Sequence, residues 1–267
     1  MLSLCSLASG SSGNCYLLRA GEVSILVDCG ISARRIVGHL RAFGVEPASL
    51  AAILLTHEHS DHVQSLGTLS RRYGLPVIAN EATLAAAEMA VGPIHGRSLA
   101  TGQELTLGDV SITSFAISHD AAAPVGYLIT HLAGKICLAT DLGVPSPAVA
   151  ASLAQADLLV VEANHDRERL INGPYPMPLK ARILGNNGHL SNLQAAQLLE
   201  QVATDEPKTV WLAHLSEVNN TPKLALRVVS NYLDLAGITS LKLEVALRDR
   251  PSAVWRSSTN ACQIRMI

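Results

Sequence analysis

Apolar positions along the chain fall into two patterns. Short, almost continuous runs predict strands buried on both faces: residues 2–7, 15–18, 23–27, 51–55, 76–79, 158–161, 209–213 and 241–247. Two further strands lie within 103–118 around Gly108-Asp109, and 125–131 pairs with 135–139 around Gly134. Apolar residues at helical spacing predict helices over 32–43, 63–73, 81–90, 146–154, from Ser191-Asn192 to about 202, and 221–236. Residues 172–178 (N-G-P-Y-P-M-P) read as a Pro-rich loop. The strand runs form two similar blocks, each followed by helices, with no Pro/Ser linker between them and no solenoid-type repeat. This order predicts an α/β fold, a four-layer αβ/βα sandwich, in one domain spanning 1–267. Chemistry is expected at the carboxyl ends of the strands.

The 267-residue chain is 48% apolar and 16% charged, which excludes a disordered, solvated polypeptide. Twenty Lys+Arg against 22 Asp+Glu give a net charge of -2, so bulk charge alone does not hold nucleic acid. With 3% aromatics there is little for exposed bases to stack on. No apolar run is long enough to span a bilayer, so no membrane association is expected. The start, M-L-S-L-C-S-L-A-S-G, has no basic region and too short an apolar stretch for an export signal. Cys5, Cys15, Cys29, Cys137 and Cys262 are scattered, odd in number and without a C-x-x-C pair. Reduced, mostly buried thiols in a cytoplasmic protein are expected. The turn A-S-G-S-S-G-N lacks the Gly-Lys-Ser/Thr of a phosphate-binding loop.

The densest chemical signal is His57-x-His59-x-Asp61-His62, directly after the apolar run 51–55. Four such side chains in six residues cannot be core without partners, because unpaired buried imidazole and carboxylate cost several kcal/mol. They are ligands suited to zinc, manganese or iron. His57 and His59 can reach one ion from a bent loop, which leaves Asp61 and His62 for a second.

T-H-x-H-x-D-H after an apolar strand resembles the metallo-β-lactamase superfamily, and the likeness extends over nearly the whole chain. Asp28 matches an aspartate that orients a ligand histidine, His119 the third-motif histidine, Asp141 the bridging aspartate and His214 the last ligand. The resemblance implies that His57, His59 and His119 hold one ion, Asp61, His62 and His214 the other, and Asp141 bridges. Two divalent ions, Zn²⁺ or Mn²⁺ with iron a further option, would then share a hydroxide that serves as nucleophile.

Val161-Glu162-Ala163-Asn164-His165 and Gly188-His189-Leu190-Ser191 are similar to two segments of ribonuclease Z in which Glu and His form a coupled pair near the leaving group. That likeness makes Glu162 and His189 catalytic beside Asp61, and it departs at Val161 and Asn164, where ribonuclease Z has His and Thr. A protonated histidine steadied by a carboxylate suits phosphoryl transfer, since charge develops on the departing oxygen. Closer still, A-S-G-S-S-G-N, V-D-C-G, T-H-E-H-S-D-H, E-A-N-H-D, G-P-Y-P-x-x-L-K-x-R-I, G-H-L-S-N and H-L-S-E-V-N-N resemble the bacterial YycJ/WalJ-like group. This implies a dinuclear metal-dependent phosphodiesterase, a 5′-to-3′ DNA exonuclease first of all, with DNA ranked ahead of RNA and a monomer or homodimer as the working unit. Ser11, Asn14, Asn164, Tyr175, Lys180, Arg182 and Asn219 belong to those strings, Asn187 directly precedes G-H-L-S-N, and all are candidate substrate contacts, Lys180 and Arg182 for phosphate. The alternative is hydrolysis of a small substrate: a cyclic nucleotide or phosphodiester, or a thioester or lactone.

Overall fold

The computed structural model describes residues 1–257, and Cys262 lies outside them. In chain order the strands are β1 (Leu2–Ala8), β2 (Cys15–Ala20), β3 (Val23–Val27), β4 (Ala52–Leu54), β5 (Pro76–Ala79), β6 (His95–Ser98), β7 (Glu104–Leu107), β8 (Val110–Ala116), β9 (Val125–His131), β10 (Gly134–Ala139), β11 (Leu158–Glu162), β12 (Lys208–Ala213), β13 (Leu241–Val245) and β14 (Val254–Arg256). The helices are α1 (Ala33–Ala42), α2 (Ser60–Val63), α3 (Leu66–Tyr73), α4 (Glu81–Val91), α5 (Pro147–Ala154), α6 (Arg167–Asn172), α7 (Met177–Leu184), α8 (Asn192–Val202) and α9 (Pro222–Leu235).

Among the described residues the strands make two seven-stranded sheets, ordered β14-β1-β2-β3-β4-β5-β6 and β13-β12-β11-β10-β9-β8-β7. Each is mixed: β3 to β6 run parallel, as do β10 to β13, and the remaining neighbours pair antiparallel. Period-two alternation decides which sheet face each side chain joins. Leu2, Leu4, Tyr16, Leu18, Ile25 and Val27 meet Tyr127, Ile129, Ile136, Leu138, Val160 and Trp211 in the layer between the sheets. Their neighbours Leu17, Leu26 and Ile53 pack under the helices of the first sheet, and Cys137, Leu159, Val161 and Leu212 under those of the second. Burial on both faces explains why these strands read as unbroken apolar runs. The four-layer sandwich is therefore as expected.

Four local expectations need correction. The helix expected over 63–73 is interrupted at Ser65, whose N–H donates to Cys29 O (2.9 Å) and whose Oγ donates to Ile31 O (2.5 Å). The Pro-rich stretch 172–178 is not all loop: Met177 and Pro178 open α7, where the first turn has no use for the missing proline N–H. β6 is exposed at every position and so lacked an apolar signal, and β14 follows what the sequence marks as the last strand. Cys5, Cys15, Cys29 and Cys137 are buried free thiols, as expected. Among the described residues no helix is long and apolar enough to cross a membrane.

Candidate metal centre

The site is built on the loops that leave β3, β4, β8, β10, β11 and β12. Asp28, Asp141 and His214 follow three of these strands and all take left-handed backbone, with φ of 59°, 58° and 53°. This conformation costs an L residue roughly 1–2 kcal/mol and is kept where surrounding contacts enforce it, which is typical of functional sites. Here it turns the chain sharply at the sheet edge. The loops then stack backbone to backbone: Asn14 N donates to Asp61 O (2.8 Å), Cys29 N to His62 O (2.7 Å) and Gly30 N to Asn14 O (2.8 Å). A Cβ on Gly30 would lie 1.6 Å from Asp61 O, and one on Gly143 2.1 Å from Asn186 O, so both positions require glycine.

Two donor groups result, with a third overlapping the second. His57, His59 and His119 form the first, Asp61, His62, Asp141 and His214 the second, and Asp141, Glu162, His189 and His214 the third; within each, the donor atoms lie within 4.8 Å of one another. Hydrogen bonds at the back of the rings fix which nitrogen faces inward. His62 Nδ1 donates to Asp28 Oδ2 (2.8 Å), His119 Nδ1 to Gly188 O (3.2 Å) and His214 Nδ1 to Glu162 Oε1 (2.7 Å). Thr56 Oγ1 lies 3.0 Å from both Asp28 Oδ2 and His57 Nδ1, and Thr56 N donates to Asp28 Oδ1 (2.9 Å). The inward atoms His57 Nε2 and Asp141 Oδ2 are buried without a hydrogen-bond partner. Orphaned buried nitrogen and oxygen beside further imidazoles and carboxylates fit a divalent cation, and the donor chemistry suits zinc, manganese or iron.

Glu162, fully buried, ties His214 to His189. Its Oε1 accepts from His214 Nδ1 (2.7 Å) and His189 Nδ1 (2.8 Å), and its Oε2 accepts from Leu142 N and Leu190 N, both at 2.9 Å. Burial opposes its charge, yet the His189 charge and the two histidine bonds hold the carboxyl below its ordinary range. Burial likewise opposes a charged His189, but Glu162 raises that imidazole above its usual value. His62 is raised against burial by Asp141 and Asp28, and His214 to about 10 by Asp141, Asp61 and Glu162. Burial and the neighbouring His62 push His57 well down.

The expected ligands are thus brought together, Asp28 touches His62, and Glu162 touches His189. The second attachment of Glu162, to His214, is a finding that no local motif carries, as are the Thr56 brace and the bond from His214 N to Ser9 Oγ (2.9 Å). Three candidate substrate contacts are inside the protein. Asn14 Nδ2 lies 3.0 Å from His62 Nε2, Asn164 Nδ2 donates to His214 O (3.0 Å), and Asn219 N donates to Ser216 Oγ (3.2 Å). All three are buried and brace the loops. Ser11, Arg182 and Asn187 are exposed, and Tyr175 and Lys180 half-buried. Lys180 Nζ donates to Ile171 O (2.7 Å), and Arg182 Nε pairs with Asp120 Oδ2.

Two facing sheets with a pocket of histidines and carboxylates at their strand ends define a metal-dependent hydrolase. Residues 24–215 match the model of the beta-lactamase superfamily domain. The chain is 41% identical over 234 residues to exodeoxyribonuclease YycJ of Bacillus anthracis, covering 86% of this chain and 89% of that protein. It is 40% identical over 237 residues to exodeoxyribonuclease WalJ of Streptococcus pneumoniae, covering 87% and 88%. The fold matches the crystal structure of the metallo-beta-lactamase fold protein YhfI from Bacillus subtilis with a TM-score of 0.74 at 19% identity, over 96% of this chain and all of that one. The chain belongs to the beta-lactamase superfamily, in its YycJ/WalJ-like group.

Proposed function

We propose that this protein is a dinuclear metal-dependent phosphodiesterase that digests DNA from a 5′ end. The observation that carries the reading is Glu162: one buried carboxylate bonds both a ligand of the second donor group, His214, and a further histidine, His189, at the edge of the same pocket. Two divalent cations, when bound, would lower the pKa of a shared water to near neutrality and offset phosphate charge. His57, His59 and His119 would hold one, Asp61, His62 and His214 the other, with Asp141 between the groups. Asp61 Oδ2 and His214 Nε2, 3.3 Å apart, are two of the ligand atoms of that second group. His189 keeps its Nδ1 proton on Glu162 and turns the rest of its ring to the pocket, where a charged imidazole steadies or protonates a departing alkoxide. The exposed Ser11, Arg182 and Asn187 and the half-buried Tyr175 and Lys180 are the candidate phosphate and sugar contacts. The names of the two relatives at 40–41% identity support DNA as substrate.

The test is a panel of end-labelled single- and double-stranded DNA and RNA with Mn²⁺ or Zn²⁺, beside bis-p-nitrophenyl phosphate and a thioester. Release of the label from 5′-labelled DNA as a mononucleotide, with progressive shortening of 3′-labelled DNA, is expected of wild type and not of His59→Ala or Asp61→Ala. Activity on the thioester alone, or alanine variants at wild-type rates, would reject the reading.

A further inference from the structure

An open cavity of about 520 Å³ lies beside the first donor group, lined by Asp120, Ala181, Arg182, Gly185, Asn186 and Asn187. Its one cation is Arg182, carried on the last turn of α7, with its side chain 54% exposed. Its one carboxylate is Asp120, the residue after His119. Asp120 Oδ2 accepts from Arg182 Nε, while its Oδ1 lies 3.4 Å from His119 Nε2. The carboxylate therefore spans the gap between the cavity and the donor atoms. The opposite wall is rigid: Ser118 Oγ lies 2.8 Å from Asn186 O and 3.0 Å from Asn187 Oδ1, and Gly143 packs against Asn186.

We propose that this cavity is a phosphate subsite next to the cleaved bond, and that Asp120 is an internal competitor that occupies Arg182 until a substrate phosphate replaces it. The idea rests on the phosphodiesterase reading above and assigns it a substrate contact and a selectivity device. Carboxylate and phosphate make the same demand on a guanidinium: two oxygens in one plane facing its N–H fork. The exchange costs little, because both partners are solvent-accessible and exposed pairs of this kind are weak. Asn186 and Asn187 offer neutral amides and backbone rather than charge, so a phosphate entering the cavity meets one cation and no second anion beyond the one it displaces. An anion too small to reach past Asp120 gains nothing from displacing it, which favours a polymeric substrate already anchored at the metals. Asp120 acts through Arg182 and is a positioning residue.

The test uses the full chain loaded with Mn²⁺. Kd is measured by fluorescence anisotropy on a phosphorothioate oligonucleotide at several salt concentrations, and KM and kcat on the ordinary one. Arg182→Gln is expected to weaken binding and to reduce the slope of log Kd against log salt by roughly 0.7, one phosphate contact on a single strand. Asp120→Asn is expected to tighten binding by about two- to fivefold, the worth of an exposed ion pair. The double variant should bind like Arg182→Gln alone, since nothing is left to release. Comparing 5′-phosphorylated with 5′-hydroxyl oligonucleotides tells a terminal phosphate from an internal one: the Arg182→Gln loss is confined to the phosphorylated form in the first case and equal in both in the second. Wild-type Kd and salt slope in Arg182→Gln, or tightening by Asp120→Asn that persists in the double variant, would overturn the proposal while wild-type nuclease activity stands. A wild type that neither binds nor cuts the oligonucleotides removes the nuclease reading and this inference together.

Discussion

Replacing Glu162 by glutamine keeps the side chain's shape and removes its charge. The carboxylate accepts four hydrogen bonds, two from histidine Nδ1 atoms and two from backbone N–H groups. An amide has one acceptor oxygen, so whichever way it turns, its NH₂ meets two buried donors head on. Each donor left unsatisfied costs about 1–3 kcal/mol, so roughly 2–6 kcal/mol of folding stability is lost. His214 loses the partner that fixes its ring, which lowers affinity for the ion of the second group by about 10–100-fold. His189 loses the charge that keeps it cationic, which removes most of a general-acid contribution of ~10²–10⁴-fold. His189→Ala removes only the last of these. The assay pairs metal content after dialysis with kcat on labelled DNA at saturating Mn²⁺, plus a thermal melt. Glu162→Gln should fall on all three measures, and His189→Ala on kcat alone, by ~10²-fold. Wild-type metal content in Glu162→Gln, or metal loss in His189→Ala, would refute the assigned division of labour.

Asp28→Asn should reduce metal affinity about 10–100-fold by loosening the His62 ring, measurable by competition with a fluorescent chelator, and an unchanged affinity would make Asp28 a turn residue only. Gly30→Ala should yield no stable protein at 37 °C, because the new methyl overlaps Asp61 O, and a normal melting curve would contradict the stacked loops. His62 and His214 titrate above their ordinary value in the metal-free protein, so at pH 7 metal uptake must displace protons; calorimetry in buffers of different ionisation enthalpy should detect their release, and buffer-independent heats would contradict it. The sign for metal-free stability follows: a raised folded pKa stabilises fully below the unfolded value of 6.5 and the benefit fades as pH climbs toward about 10 for His214, so Tm should drop across that window.

What the sequence disclosed depended on whether a feature is local. The ligands of the first loop sit within six residues, and each remaining one follows an apolar strand, so residue type and strand end together mark them. The double grip of Glu162 joins residues 52 positions apart, and no local pattern encodes it. Asn14, Asn164 and Asn219 stand in motif-rich loops, and the close stacking of those loops, which joins residues far apart in the chain, closes over their side chains. Arg182 looked like a free cation because its partner Asp120 is 62 residues away. Strands β1 to β5 announced themselves by being buried on both faces, whereas β6 has every residue exposed and no pattern to offer.

Anomalous scattering from a crystal grown with Mn²⁺ or Zn²⁺ tests the central claim most directly. Two peaks per chain are predicted, one among His57, His59 and His119 and one among Asp61, His62 and His214, with the Asp141 carboxylate between them. A single peak elsewhere, or none at saturating metal, would contradict the account.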